Sequence, residues 1–253
     1  MAQKCTVEGV EYEIKGGRTL VNGVGYAVAK GRTLVNGVGY DVSFAPAAAL
    51  PTFDGSCNFF GTADQGWVEL LEDGTLTLPN TANLASCDVY LLENGEAGNN
   101  ALSLQHARSG GKGGDHVEAY RQDLRGLTII VTIAETTKFT TDGGEGLDTD
   151  SAANGSAGGT STAHVGADGY APFRGTLVAI EALGSKKLGA GGGYNGGHAG
   201  GDYGGGEGAG GLGTEGKPGL ANTGSGGGGA NGSRHGGAGG TGIVIVRWGY
   251  ETA

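Results

Sequence analysis

Basic charge, proline, cysteine and long apolar runs are all scarce in this chain, and each scarcity excludes something. Lys and Arg number 16 against 26 Asp and Glu, a formal net charge of −10. A broad nucleic-acid footprint needs a basic face, so no nucleic-acid partner is expected. No run of about 18 apolar residues occurs, so no membrane insertion is expected. An apolar leader with a cleavage site is also missing. The sequons Asn154-Gly155-Ser156 and Asn231-Gly232-Ser233 therefore carry no weight. Three cysteines, Cys5, Cys57 and Cys87, are odd in number and widely spaced. They form neither a metal-ligand pair nor a disulfide framework, and buried reduced thiols are expected. Only 5 prolines accompany 58 glycines, with no glycine at every third position throughout, so a collagen triple helix is excluded. No stretch has a convincing amphipathic helical period. The expected class is all-β.

What is present is glycine, concentrated between Gly189 and Gly242. Apolar, strand-like runs flank this tract: Gly175-Thr-Leu-Val-Ala-Ile-Glu-Ala-Leu183 before it and Gly242-Ile-Val-Ile-Val-Arg-Trp248 after it. A disordered tail has no reason to end in Ile243-Val244-Ile245-Val246, so the tract reads as an ordered insertion pinned in a β core. Its local period is nearer four than three, as in Gly192-Gly-Tyr-Asn195, Gly196-Gly-His-Ala199 and Gly200-Gly-Asp-Tyr203. Extended rods of polyproline-II geometry fit best, rising about 3.1 Å per residue without internal hydrogen bonds. Fully stretched, the tract would reach roughly 170 Å, far beyond the radius of gyration of about 18 Å for a compact chain of this length. It must double back, and Gly216-Lys-Pro-Gly219 and Ala221-Asn-Thr-Gly224 supply turn chemistry. Ordering glycine costs about 0.5–1 kcal/mol more per residue than ordering alanine. Dense backbone pairing is expected to offset this, with subunit contacts as a further contribution.

Residues 1–15 read as one strand region. An internal repeat follows: Gly17-Arg-Thr-Leu-Val-Asn-Gly-Val-Gly-Tyr26 recurs as Gly31-Arg-Thr-Leu-Val-Asn-Gly-Val-Gly-Tyr40. Each copy reads as a hairpin turning at Asn22-Gly23 or Asn36-Gly37, the two forming a small meander. Residues 1–44 are thus a β-hairpin attachment or spacer module, 45–51 a proline-bounded linker, and 52–253 a glycine-rich β domain. In that domain Trp67–Leu71 and Thr75–Leu78 flank Glu72-Asp73-Gly74, a hairpin signal. Further strands are expected at Cys87–Leu92, His116–Tyr120 and Leu127–Ile133, with a surface loop from Asp142 to Gly159. The architecture expected is a β-sandwich-like domain carrying an ordered, polyglycine-II-like insertion.

The stretch Gly66 to Leu92, Leu127–Ile133, Pro218-Gly-Leu-Ala-Asn-Thr-Gly224 and Gly236-Gly-Ala-Gly-Gly-Thr-Gly-Ile-Val-Ile-Val-Arg247 resembles the glycine-rich domain of bacteriophage and prophage tail-fibre proteins. The hairpin repeats are similar to those of tail proteins from prophages of Gram-positive bacteria. The resemblance covers most of residues 52–253. One departure is Glu93-Asn-Gly-Glu-Ala-Gly-Asn-Asn100, where the family has poly-glycine. The resemblance implies a virion protein presenting glycine-rich loops to a host-surface glycan or protein. It also implies attachment to other virion proteins through the N-terminal module, and a homo-oligomer, with a trimer expected. The alternative is a structural virion subunit without receptor binding.

Chemistry-bearing motifs are few. Gly206-Glu-Gly208-Ala-Gly-Gly211 fits G-x-G-x-x-G but lacks the following helix. Gly110-Gly-Lys-Gly-Gly-Asp115-His-Val117 fits a single unit of a calcium-binding nonapeptide, a site built only by stacking several. Asp142, Glu145, Asp148 and Asp150 read as solubilising charges. His106, His116, His164, His198 and His235 are scattered, and no catalytic residue, metal ligand or cofactor site is assigned. Tyr194, His198, Tyr203 and His235 are the large side chains within the glycine tract. They are either a receptor-contact patch or aromatics packed on the sheet. Trp67, Trp248 and Tyr250 are expected in the core or at subunit contacts.

Overall fold

A computed structural model describes residues 3–7, 10–14, 18–21, 24–27, 30–35, 38–43, 49–101, 108–150, 153–173 and 187–250. The strand-like run Gly175–Leu183 and His106 lie outside these residues. The chain divides into two units, Met1–Leu50 and Pro51–Ala253.

The first unit holds three antiparallel pairs. These are β1 (Gln3–Val7) with β2 (Val10–Ile14), β3 (Arg18–Val21) with β4 (Val24–Ala27), and β5 (Lys30–Val35) with β6 (Val38–Ser43). The repeat recurs in register: Leu20 faces Gly25 as Leu34 faces Gly39. Asn22-Gly23 and Asn36-Gly37 lie outside the described residues, and pairing closes at Val21↔Val24 and Val35↔Val38. Two expectations are corrected. Residues 1–15 form two strands, and each pair is its own two-stranded sheet, so the repeats make no meander among the described residues. Short strands with Gly25 and Gly39 in the return arm offer few cross-strand side-chain pairs to hold a wider sheet.

The second unit contains β7 (Thr52–Phe53), β8 (Cys57–Gly61), β9 (Gly66–Leu70), β10 (Gly74–Thr77), β11 (Cys87–Leu92), β12 (His116–Gln122), β13 (Thr128–Thr132), β14 (Lys138–Thr141), β15 (Gly146–Asp148) and β16 (Ile243–Trp248). They build two antiparallel five-stranded sheets. The outer sheet runs β15-β14-β13-β10-β7 and the central sheet β12-β11-β16-β9-β8. Between them lies one core, fed by Val68 and Leu70 from β9, Leu76 from β10, Val89 and Leu91 from β11, Ile129 and Val131 from β13, and Val244 and Val246 from β16. The other face of the central sheet is buried too, by Trp67, Tyr90, Leu92, Ile243 and Ile245 with Phe173 and Leu188. Burial on both faces explains why β11 and β16 read as continuous apolar runs rather than alternating ones. On that second face Asp88 stands opposite Arg247, and their side chains form an ion pair, each only 3% exposed. The guanidinium also lies over the Phe173 ring at 4.5 Å.

The Glu72-Asp73-Gly74 turn is not a hairpin. β9 pairs with β8 and β16, and β10 with β13 and β7, so the turn crosses from one sheet to the other. Asp73 ties the crossing down by accepting the Ile133 N–H at 2.7 Å. The Asp142–Gly159 stretch is likewise not a single loop, since Gly146–Asp148 is β15 and residues 153–160 join the glycine structure.

Among the described residues that glycine structure is a bundle of ten extended rods: 93–101, 108–115, 153–160, 163–170, 187–195, 198–201, 204–210, 214–220, 223–231 and 234–242, numbered 1 to 10 in chain order. A chain with three residues per turn aims successive N–H groups about 120° apart. Rod 9 shows this directly. Gly226 donates to Ala190, Gly227 to Glu96 and Gly228 to Lys217; Gly229 then returns to rod 5 at Gly193 and Ala230 to rod 1 at Asn99. Its carbonyls accept from rod 2 (Gly111 to Gly227), rod 7 (Gly206 to Gly226) and rod 10 (Gly237 to Gly228). Rods 1, 2, 5, 7, 8 and 10 thus surround rod 9, and each bonds to the next around the ring, as Glu96 does to Lys112 and Gly219 to Ala238. Rod 5 is enclosed in the same way by rods 2, 3, 4, 6, 7 and 9. The packing is hexagonal.

Such closeness leaves no room for side chains. A Cβ on Gly227 would lie 1.9 Å from the Gly237 carbonyl oxygen, and one on Gly228 2.0 Å from that of Glu207. An outer rod needs glycine only where it faces inward. Rod 1 therefore carries Gly95, Gly98 and the buried Ala101 three apart, and its other positions are polar or alanine. The Glu93–Asn100 departure from poly-glycine is consequently still a rod. The period of three that the tract hides is present within rods and broken by turns at residues 195–197 and 202–204, which produce the apparent period of four. Ala221–Gly224 is a turn as expected, but Gly216–Gly219 runs extended inside rod 8, bonded to His235, Glu207 and Ala238. Its Lys217-Pro218 pair suits polyproline-II geometry as well as it suits a turn.

Candidate functional site

The rods have two distinct ends. At the strand end, rod 1 continues β11, rod 2 leads into β12 and rod 10 into β16. The pairing directions place residues 160–163, 195–198, 210–213 and 231–234 together at the far end, with Ala101 and Arg108.

Three of the tract's four predicted site residues lie at this far end. Tyr194 and His198 come together around His164, which rod 4 delivers through the bond from the Tyr194 N–H to the His164 carbonyl at 2.9 Å. The His164 and His198 rings stack with centroids 4.4 Å apart and 11° between planes. Tyr194 lies 5.6 Å from His164 and 6.3 Å from His198. The three rings make a cluster of their own, separate from the apolar core. His235 is exposed at the same end, on rod 10, its carbonyl accepting from Gly216. Tyr203 is at the strand end, 54% exposed and at φ +73°, with the Lys187 ammonium 5.5 Å from its ring centroid. Lys187 also pairs with Asp168 at 3.1 Å; the Asp202 N–H first, and then this bond, hold the Asp168 carboxyl below the usual range. The four residues therefore do not make one patch. His164 could not be singled out from sequence, because only the alignment of rod 4 with rod 5 brings it to Tyr194.

The far end also exposes bare backbone. A Cβ on Gly210, Gly211 or Gly213 would meet nothing within 4 Å, unlike those on the other glycines of the rods. The N–H groups of Gly210, Leu212 and Gly213 have no partner among the described residues. Leu212 is 72% exposed. Basic and imidazole side chains gather here as well. Among the described residues at this end, Arg108, His164, His198, Arg234 and His235 stand against one carboxylate, Glu215, in a chain of net charge −10. The Arg108 Nε is enclosed without a hydrogen-bond partner.

Other candidates resolve into structure. In the G-x-G-x-x-G stretch, Gly206 and Gly208 are required by the approach of the Lys217 and Tyr194 carbonyls, whose oxygens lie 2.1 and 1.8 Å from where a Cβ would sit. Residues 110–114 are rod 2, and the Asp115 carboxylate accepts the Gly155 N–H. Asp148 and Asp150 take bonds from the Asp150 N–H and the Thr136 hydroxyl. No group of three metal-ligating side chains occurs among the described residues. His116 packs against Tyr170, ring centroids 4.3 Å apart. Trp67 and Trp248 are core residues, Trp248 donating to the Thr62 carbonyl at 3.0 Å, and Tyr250 is half-buried beside Arg247. Cys57 and Cys87 are free thiols.

No protein-family model, curated protein or solved structure matches the chain.

Proposed function

We propose that this chain is a virion attachment protein of the tail-fibre kind, which presents the far-end loops of its glycine bundle to a molecule on the host cell surface. The observation that carries this is the geometry of the bundle. Hexagonally bonded rods hold a set of loops rigidly at the end remote from the β sheets, and recognition by loops on a stiff scaffold is a common physical solution. The resemblance of the strand motifs to tail-fibre glycine-rich domains supports the same reading. So do the flanks of the bundle. Side chains such as Ala97, Glu215, Pro218 and Ala238 occupy its outward positions, which disfavours lateral packing of rods as in a purely structural subunit. The N-terminal hairpins would join other virion proteins, and a homo-oligomer, a trimer in this proposal, would multiply weak contacts.

Whole-cell attachment tests this. Fluorescently labelled chain is expected to bind host cells and to compete with virions for adsorption. His198→Ala with Tyr194→Ala should reduce binding about tenfold or more while leaving circular dichroism unchanged. Normal attachment by the double variant would remove the far-end site. A labelled subunit seen on the capsid surface or along a shaft would favour the structural alternative.

A further inference from the structure

Three features of the far end are unexplained by folding. Glycine stands at positions 210 and 211, where a Cβ would meet nothing within 4 Å and neither residue has a positive φ. Elsewhere in the rods the glycines are required by close neighbouring atoms or by a positive φ, as at Gly189 and Gly204, so these two are bare for another reason. Close approach of a ligand to the backbone is the other use of glycine. The backbone joins this bare floor to the His164, Tyr194 and His198 rings, since Gly197 packs against Gly210 and the Gly208 N–H donates to the His198 carbonyl. The third feature is a local reversal of charge. Among the described residues, the chain positions at this end bring Arg108, Arg234 and three histidines against one glutamate, and the N–H groups of Gly210, Leu212 and Gly213, which have no partner there, add donors only.

Taken together, and resting on the attachment reading above, the geometry points to an acidic surface polysaccharide as the ligand of the far end. A pyranose ring presents an apolar C–H face that stacks on aromatic and imidazole rings. Its carboxylate or phosphate substituents take bonds from arginine and from free backbone N–H groups. The chain as a whole carries a net charge of −10, so the surface away from this end is acidic, repels anions and confines binding to this end. A protein epitope fits less well. A standard protein interface covers about 800 Å² on each partner around buried apolar anchors, and among the described residues of this end Leu212 and Val165 are the large aliphatic side chains exposed.

The full chain, immobilised, is tested against soluble alginate as a uronate glycan, wall teichoic acid as a phosphate glycan, and dextran as a neutral control. Binding to at least one of the two anionic polymers is expected, at least about tenfold tighter than to dextran and weakened severalfold by raising the salt from about 50 to about 500 mM, an order-of-magnitude expectation from screening. The polymer that binds distinguishes carboxylate from phosphate recognition. Gly210→Val, which adds bulk to the bare floor where a Cβ meets nothing and whose folding is checked by circular dichroism, and the pair Arg108→Ala with Arg234→Ala should each lower affinity about tenfold. Lys138→Ala, on β14 of the outer sheet, should change nothing. Equal binding to dextran, binding to neither anionic polymer, or indifference to Gly210→Val and to the arginine pair would overturn the inference. A parallel arm on host cells separates the two levels. Attachment that survives periodate but not protease would overturn the glycan and keep the attachment function. Failure to attach to host cells would overturn the attachment function itself.

Discussion

At the scale of single residues, the glycines fall into two classes that composition cannot separate. Gly228 is walled in by the Glu207 carbonyl, 2.0 Å from where its Cβ would sit, whereas Gly210 meets nothing. Gly228→Ala is therefore expected to destabilise the protein by about 3 kcal/mol or more, as severe overpacking does. Gly210→Ala should stay within about 0.5 kcal/mol. Urea unfolding of the two variants checks this. The same scale holds the titration behaviour. Burial first, then the charges of Asp115 and Glu96, raise the Glu93 carboxyl above its ordinary range, against bonds from the Asp115 backbone and the Thr149 hydroxyl. A carboxyl whose pKa is raised in the folded state binds its proton more tightly there than when unfolded. Its contribution favours folding below the ordinary glutamate pKa and declines as pH rises through the raised value. Glu93→Gln should flatten the fall in stability above about pH 4, read as urea midpoints across about pH 4 to 7. Burial, with Asp88 and Asp123, pushes the Cys87 thiol up to about 12. Cys87 should accordingly resist iodoacetamide at about pH 8 until the chain unfolds, by mass spectrometry, although Cys57 is half-buried and nearer to solvent.

At the scale of elements, strands and rods obey different rules. β11 and β16 are readable from sequence because their apolar β-branched runs occur in few other contexts, and burial on both faces keeps them continuous. The rods are harder to read. Glycine spaced by three is required only inside a rod, and each turn resets the count, so the period appears irregular along the chain. Bond by bond, the lattice is adequate to hold the tract. The extra ordering cost of about 0.5–1 kcal/mol per glycine is matched in size by a net hydrogen bond of about 0.5–1.5 kcal/mol, and rods 5 and 9 are bonded on every side. Hydrogen exchange should find the amides of Gly226, Gly227, Gly228 and Gly229 among the slowest in the molecule. Gly210, Leu212 and Gly213 should exchange like a free peptide. Free-peptide rates at Gly226–Gly229 would dissolve the lattice. Likewise, the Glu72-Asp73-Gly74 turn is legible as a turn but not as a crossing, because its sequence is silent about which strands already flank β9 and β10.

At the scale of the whole second unit, rods and sheets are interleaved along the chain: β11 runs into rod 1, rod 2 into β12, and rod 10 into β16. Neither layer can be removed without cutting the other's backbone, so residues 51–253 should unfold in one calorimetric transition rather than as a sheet and a separate glycine phase. The Asp88–Arg247 pair sits where these layers meet the second face of the central sheet. Arg247→Ala would strand a buried carboxylate, at an expected cost of about 3–5 kcal/mol, and Asp88→Leu with Arg247→Met should recover most of it. Urea unfolding of the single and double variants measures both. The far-end ring cluster belongs to this scale as well. Tyr194, His198 and His235 are recognisable as large side chains in a tract of small ones, but Tyr203 has the same signature and stands at the opposite end.

Sequence alone determined the all-β class, the hairpin repeats, the strands β11 and β16, and the need for the glycine tract to fold back on itself. Those properties follow from local patterns and from chain length, which act on residues close in sequence. Tertiary structure alone decided which rods touch, which glycines are forced, and which aromatic rings meet. Each of those depends on backbone bonds between residues far apart in the chain. With no side chain to carry a preference, a glycine's partner is set by the lattice around it.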